Sequence, residues 1–186
     1  MPAIDLRTGI RSIPDFPKEG ILFRDLSPLL EDATLFRETI DRLAAECASF
    51  SPTKIVGLDA RGFIFGAALA YKLGVGFVPI RKRGKLPFRT LSHAYELEYG
   101  SAEFEIHCDS IKPGEAVVLV DDLLATGGTA RAALHLLRQL EANVLLALFV
   151  VELEALGGRV HLAPIEARAL IVYADYLASV SFFLVS

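Results

Sequence analysis

The sequence predicts an α/β fold: a parallel β-sheet flanked by helices, with a protruding antiparallel hairpin and a small N-terminal hood. Three observations carry this expectation. Short Val-, Ile- and Leu-rich runs alternate with stretches of helical periodicity from Ala33 onward. The runs lack polar alternation, as strands buried on both faces do. Two of them lead into glycine-bearing loops with charged residues, where open α/β sheets hold their ligands. With 186 residues and 53% apolar content, the chain fits a single domain, 1–186. A chain of this size buries roughly 70% of the surface its unfolded form exposes.

The elements follow in order. Residues 1–32, broken by Pro and Gly, form the hood. A helix near Ala33 to Ser49 carries the apolar stripe Phe36, Ile40, Leu43, Ala44 and Cys47, and a strand at Lys54 to Asp59 follows Pro52. Phe63 to Leu73 reads as a helix with Gly74 in the C-cap position, and Gly76 to Ile80 as the next strand. Arg81, Lys82, Arg83, Lys85 and Arg89 then form a basic run. Between Arg89 and Cys108, Tyr95, Leu97 and Tyr99 alternate with Glu96 and Glu98. Phe104 and Ile106 likewise alternate with Glu103, Glu105 and His107. With Gly100-Ser101 between the halves, this predicts an antiparallel hairpin with solvated glutamates, the outer part of a flexible flap over residues 81–108. Strands at Ala116 to Asp121, Asn143 to Val151 and Ala169 to Tyr173, and a helix at Thr129 to Leu140, complete the domain. The apolar tail Ser179 to Ser186 is too short to span a membrane and reads as a packing segment or subunit contact.

Composition excludes several function classes. A net charge of −4 argues against general nucleic-acid binding. No apolar leader segment and no uncharged apolar run of about 18 residues is present, so the expectation is a soluble cytoplasmic protein without a membrane role. Cys47 and Cys108 offer neither a disulfide framework nor metal spacing and read as core thiols in a reducing cytosol. His93, His107, His135 and His161 have no metal-ligand spacing. Gly84-Lys85 is followed by Leu86, which excludes the GxxxxGK[ST] loop, and no GxGxxG follows a strand.

The most informative stretch is Ala116 to Thr129, AVVLVDDLLATGGT. A β-branched run leads through Asp121 and Asp122 into Ala125, Thr126, Gly127, Gly128 and Thr129 and then a helix. Backbone amides at such a helix start can wrap a phosphate, aided by an end charge of roughly +0.5 from the aligned peptide dipoles. The two acids would repel a phosphate. Their partners are therefore hydroxyl donors or a metal ion beside it, and the whole describes a site for a phosphorylated sugar.

These residues resemble the phosphoribosyl pyrophosphate (PRPP) loop of the type I phosphoribosyltransferases. The resemblance extends in family order over nearly the whole chain. It includes Ile13-Pro14-Asp15-Phe16-Pro17, Phe23-Arg24-Asp25, Gly57-Leu58-Asp59-Ala60-Arg61-Gly62-Phe63, Arg81-Lys82-Arg83-Gly84-Lys85-Leu86-Pro87 and Leu97-Glu98-Tyr99-Gly100. The nearest likeness is to the members that use adenine. It implies purine salvage: transfer of the phosphoribosyl group from PRPP to adenine, giving AMP and pyrophosphate, with Mg2+ held mainly by substrate oxygens and no direct protein ligand.

The resemblance also implies roles. Ala125 to Thr129 would take the 5'-phosphate, and Asp121 and Asp122 the ribose hydroxyls near the anomeric carbon. Asp59, Ala60 and Arg61, with Arg81, Lys82 and Lys85 from the flap, would take pyrophosphate. A cis peptide is implied before Arg61. Ala60 stands where the family more often has Ser, and Phe88-Arg89 where its motif has Gly-Pro. Glu98 would act on the purine imidazole edge, making it catalytic with Asp121, Asp122 and Arg61. Phe23 and Leu123 would flank the base while backbone groups of Leu22 and Arg24 read its amino edge. Ala125 replaces an aspartate that enzymes for 6-oxopurines carry in this loop, which favours adenine. A homodimer is implied as well, since a basic flap residue can reach a neighbouring subunit in related enzymes. Two other readings stay open: a non-catalytic PRPP sensor, and an enzyme of this fold acting on xanthine or a pyrimidine.

Overall fold

The computed structural model describes residues 4–97 and 100–174. The expectations placed on Glu98, Tyr99 and the tail Ser179 to Ser186 lie outside the described residues. A 3-10 turn at Leu6–Gly9 leads into β1 (Arg11–Pro14) and β2 (Leu22–Asp25), an antiparallel pair separate from the main sheet. Helix α1 (Ser27–Glu31) runs directly into α2 (Ala33–Cys47). The hinge between them is set by Asp32, whose carboxylate accepts from Thr34 N at 2.8 Å and Leu35 N at 2.9 Å. These are two of the N–H groups that a helix start leaves unpaired. Asp32→Ala is expected to cost about 1 kcal/mol, read as a fall of about 2–4 °C in thermal unfolding with activity unchanged.

The remaining elements are β3 (Lys54–Leu58), α3 (Gly62–Leu73), β4 (Gly76–Lys82), β5 (Thr90–Leu97), β6 (Gly100–His107), β7 (Ala116–Leu124), α4 (Gly128–Gln139), β8 (Asn143–Leu153) and β9 (Ala167–Tyr173). Gly74 caps α3 in the left-handed region with φ 69°. Among the described residues the main sheet has seven strands in the order β5-β6-β4-β3-β7-β8-β9. The five from β4 to β9 are parallel, and β6 and β5 extend one edge antiparallel.

The sheet is buried on both faces, which is why its strands carry continuous apolar runs. Val117 and Leu119 of β7 point with Leu58, Ile80 and Phe149 towards Leu136 and Leu137 of α4. Val118 and Val120 point with Ile55 and Leu148 towards Leu43 of α2 and Phe65 and Leu69 of α3. Phe104 and Ile106 of β6 are fully buried in the α4 layer. The hairpin base is therefore part of the core rather than a wholly projecting flap.

Three expectations are corrected. The strand register sets Gly100 opposite Leu97 and Ser101 opposite Glu96, so both residues belong to β6 and do not separate the two halves. Arg81 and Lys82 lie in β4, not in a loose flap, because they pair with Glu105 and Phe104 of β6. Cys47 is buried and its thiol is pushed up to about 11 by burial, but Cys108 is exposed. Cys108 follows the last residue of β6, where the alternation that buries Phe104 and Ile106 ends, and its thiol meets Arg89 O at 3.0 Å.

Candidate active site

Parallel pairing brings the C-terminal ends of β3 and β7 to one edge. Their register stops at Gly57 opposite Val120, and β3 itself ends one residue later at Leu58. β7 continues to Leu124, paired with β8 alone. Asp121 and Asp122 therefore sit inside a strand one of whose neighbours has departed. The expected strand end at Asp121 is corrected by this continued pairing, which fixes the backbone of both acids beside an open edge.

The first turn of α3 closes against that edge. A Cβ at Gly62 would lie 2.7 Å from Asp121 Oδ1 and 3.0 Å from Val120 O, so only glycine allows the approach. Next to it, Arg61 Nε stands 2.6 Å from Asp122 Oδ2. Asp122 is buried, and that oxygen has no aligned hydrogen-bond donor among the described residues. Asp121 Oδ1 accepts from Asp122 N at 2.9 Å. Burial first, and then the negative charge of Asp122, push the Asp121 carboxyl well above its ordinary range, while Arg61 pulls the other way. The pair resists holding two negative charges, and a cation or hydroxyl donor arriving with a ligand would relieve it.

On one side lies the loop Ala125 to Thr129. Gly127 takes φ 80° as the N-cap of α4, which begins at Gly128, so the backbone amides of the loop lead into a helix start. Its shape is set from behind. A Cβ on Gly127 would fall 2.5 Å from Gly158 O, and one on Gly158 would collide with Ala125 O and stand 2.8 Å from Gly127 N. Gly158 opens a 3-10 turn, Gly158–Leu162, held by Arg159. Arg159 Nε donates to Glu152 Oε1 at 3.0 Å, and its two terminal nitrogens bond Glu152 Oε2 and Ala167 O. Sequence reasoning assigned none of these supports. The available signals were a charge, Glu152, within an apolar strand and the Gly157-Gly158 dipeptide.

On the other side lies Asp59-Ala60-Arg61. Asp59 N donates the last sheet bond, to Ile80 O at 3.0 Å, and the chain turns at Ala60. The cis peptide is Asp59–Ala60, one residue earlier than expected, at the point where the chain leaves the sheet. Arg81 Nε is 3.4 Å from Asp59 Oδ2, and Arg81 Nη1 donates to Lys85 O at 3.2 Å. Lys85 is exposed and Lys82 partly buried.

Glu105, expected to be solvated, is buried instead, and its Oε1 accepts from Lys85 N and Leu86 N, each at 2.8 Å. The alternation fails there because the basic loop folds over that face of β6 and supplies the donors a buried carboxylate requires.

The hood approaches from the front. Asp25 accepts from Ser27 N at 2.9 Å and Ser27 Oγ at 2.6 Å. Burial raises its carboxyl, but Ser27, Arg11 and Arg61 bring it below the ordinary range. Arg61 is thus felt by Asp25, Asp121 and Asp122 together. Leu22, Phe23 and Arg24 are partly buried on β2. Phe23 packs edge-on to Phe16 at 5.3 Å between ring centroids, and Arg24 stacks on the Tyr173 ring at 4.0 Å. Leu123 is partly buried against the core on the α2 and α3 side. The structure thus unites the acids with Arg61 and ties Asp59 to Arg81 and Lys85. Glu98 lies outside the described residues.

A parallel sheet that carries paired acids between two loops suited to anions defines a protein that works on phosphorylated sugars. The phosphoribosyl transferase domain matches residues 30–177, and the chain belongs to the phosphoribosyltransferase family. It is 54% identical over 173 residues to adenine phosphoribosyltransferase of Neorhizobium galegae, covering 92% of this chain and 96% of that protein. It is 51% identical over 170 residues to that of Carboxydothermus hydrogenoformans, covering 91% and 100%. The crystal structure of adenine phosphoribosyltransferase from Thermoanaerobacter pseudethanolicus superposes with a TM-score of 0.87 at 49% identity, covering 90% and 98% of the two chains. The Saccharomyces cerevisiae enzyme, complexed with D-2,5-dideoxy-2,5-imino-altritol 1,6-bisphosphate and adenine, gives 0.84 at 46%, covering 89% and 96%. Among the described residues no helix is long and apolar enough to cross a membrane.

Proposed function

We propose that the protein transfers the 5-phosphoribosyl group of PRPP to adenine, forming AMP and pyrophosphate in purine salvage. The observation that carries this reading is the convergence of Asp121, Asp122 and Arg61 between the two loops, together with similarity to adenine phosphoribosyltransferases over almost the whole chain. The loop Ala125 to Thr129 takes the 5'-phosphate through amides, with Thr126 and Thr129 adding hydroxyls. Asp122, buried and facing Arg61 Nε at 2.6 Å, takes a ribose hydroxyl, and Asp121 another. Ala60, Arg61, Lys82 and Lys85 receive the pyrophosphate, while Arg81 bridges Asp59 to the basic loop. As the bond from C1' to pyrophosphate breaks, its electron pair leaves with the pyrophosphate. The new bond forms from an adenine ring nitrogen, and Glu98 accepts the imidazole proton released.

The burdened carboxyl of Asp121 fits a cation delivered with the substrate. Mg2+ bound mainly to substrate oxygens would neutralise pyrophosphate charge beside it. Leu22, Phe23, Arg24 and Leu123 form the adenine side, and Ala125 leaves no carboxylate in the loop to favour a 6-oxopurine. A homodimer in the cytoplasm completes the proposal, supported by Ile64 and Tyr71, which α3 leaves 43% and 91% exposed. Light scattering on the purified protein tests the dimer.

The deciding experiment supplies PRPP, Mg2+ and one base at a time. Adenine is expected to be converted to AMP far faster than hypoxanthine, guanine, xanthine or a pyrimidine. Equal turnover of hypoxanthine, or PRPP binding without pyrophosphate release, would overturn the proposal. Glu98→Gln is expected to lower kcat about 100-fold, the low end for a positioned acid or base, with PRPP affinity retained. An unchanged kcat would remove Glu98 from the reaction.

A further inference from the structure

Glu105 has no part in the chemistry proposed above, yet it is one of four polar or charged residues buried among those described. Its surroundings account for it. Oε1 accepts from Lys85 N and Leu86 N at 2.8 Å, and Oε2 lies 3.4 Å from Thr90 Oγ1. Burial opposes the charge, but the N–H groups of Leu86, Gly84 and Lys85 outweigh it and hold the carboxyl below its ordinary range, so Glu105 is ionised at neutral pH. Lys85 is held on its other side too, because Arg81, itself paired to Asp59, takes its carbonyl. A continuous line thus runs from Asp59 through Arg81 and the backbone of Lys85 to Glu105 on β6, leaving the Lys85 side chain exposed.

We infer that Glu105 is a positioning residue for pyrophosphate: its carboxylate gathers the loop Gly84 to Leu86 by its N–H groups and fixes it beside Asp59 and Arg81. Basic side chains flank Gly84 to Leu86 and repel one another, and a buried acceptor that holds two N–H groups at the base of this loop keeps it folded before any phosphate arrives. Preorganisation of this kind lowers the ordering cost of binding. The inference rests on the pyrophosphate assignment made above and adds to it a residue that touches no substrate.

The test compares Glu105→Ala, Glu105→Asp and Glu105→Gln with the unaltered protein. Alanine removes the acceptor, aspartate withdraws it by one methylene, and glutamine keeps an oxygen for both N–H groups. KM for PRPP is expected to rise at least tenfold in the alanine variant and less in the aspartate variant. Glutamine should restore it to within about threefold, with KM for adenine unchanged throughout. Calorimetric titration with Mg2+-pyrophosphate should follow the same order without turnover. If the alanine variant does not fold, the aspartate and glutamine variants carry the comparison. PRPP and pyrophosphate affinities within twofold of the unaltered protein in the alanine variant, or in the aspartate variant where alanine does not fold, would overturn the inference. So would parallel losses for adenine and PRPP. An unaltered protein that makes AMP but binds no pyrophosphate in this assay would instead remove the assignment of that subsite.

Discussion

Gly158→Ala is expected to lower kcat/KM for PRPP about 100-fold, although residue 158 touches no substrate in the proposed site. The added methyl group collides with Ala125 O and comes within 2.8 Å of Gly127 N. Both are backbone atoms of the loop proposed to hold the 5'-phosphate, so no side chain can swing away. Either the loop moves outward or Gly158 retreats from a position that Arg159 holds through Glu152 and Ala167. A displacement near 1 Å at groups that orient a reactant commonly costs about 100-fold in rate. Gly157→Asn is the control. Gly157 has φ 66° but open space around its missing Cβ, and asparagine tolerates that conformation. It should keep kcat/KM within a few-fold. Steady-state kinetics at saturating adenine distinguish the two, and a Gly158→Ala enzyme with near-normal PRPP kinetics would show that the turn does not shape the loop.

Asp121→Asn is expected to lower kcat/KM by about 100-fold or more while making the folded protein more stable at neutral pH. The first effect follows from losing the group that the proposed site orients beside the anomeric carbon, in the range seen when one preorganised electrostatic group is removed. The second follows from proton linkage. The Asp121 carboxyl titrates higher in the fold than in the unfolded chain, raised by burial and by Asp122. Between those two values the folded protein binds more protons than the unfolded chain, so stability falls with rising pH. The contribution is full below the unfolded value and is lost as pH climbs through the folded one. Asparagine keeps an oxygen for Asp122 N and removes the charge, so its melting temperature should exceed that of the unaltered protein at pH 7.5 and converge with it in acid. A lower melting temperature at pH 7.5 would refute this account of Asp121. A carboxylate that destabilises its own fold and serves the proposed reaction would illustrate how a site can hold strain that substrate then relieves.

The legibility of the chain varied with how local each cause is. The helix over α2 and the cap at Gly74 follow from periodicity and from glycine's tolerance of the left-handed region, both written within a few residues. The strand carrying the acids was recognisable, but its end was not, because β7 is prolonged to Leu124 by pairing with β8 some thirty residues away. Arg81 and Lys82 looked like loop residues for the same reason: their partners Glu105 and Phe104 are distant in sequence. Glu105 was misread because alternation reports the face of a strand and not what later folds over that face. Cys108 was misread one residue beyond the point where alternation stops applying.

By itself, then, the sequence determined the order of strands and helices, the two loops with their glycines and acids, and the family, since each depends on short runs of backbone preference and side-chain chemistry. Only the tertiary structure decided that β3 and β7 lie side by side, so that Arg61 meets Asp122 and Gly62 admits Asp121. It alone set Gly158 behind the loop Ala125 to Thr129 and Glu105 beneath the basic one. Those contacts join residues tens of positions apart, and their existence depends on packing distances of a few ångströms that no local pattern encodes.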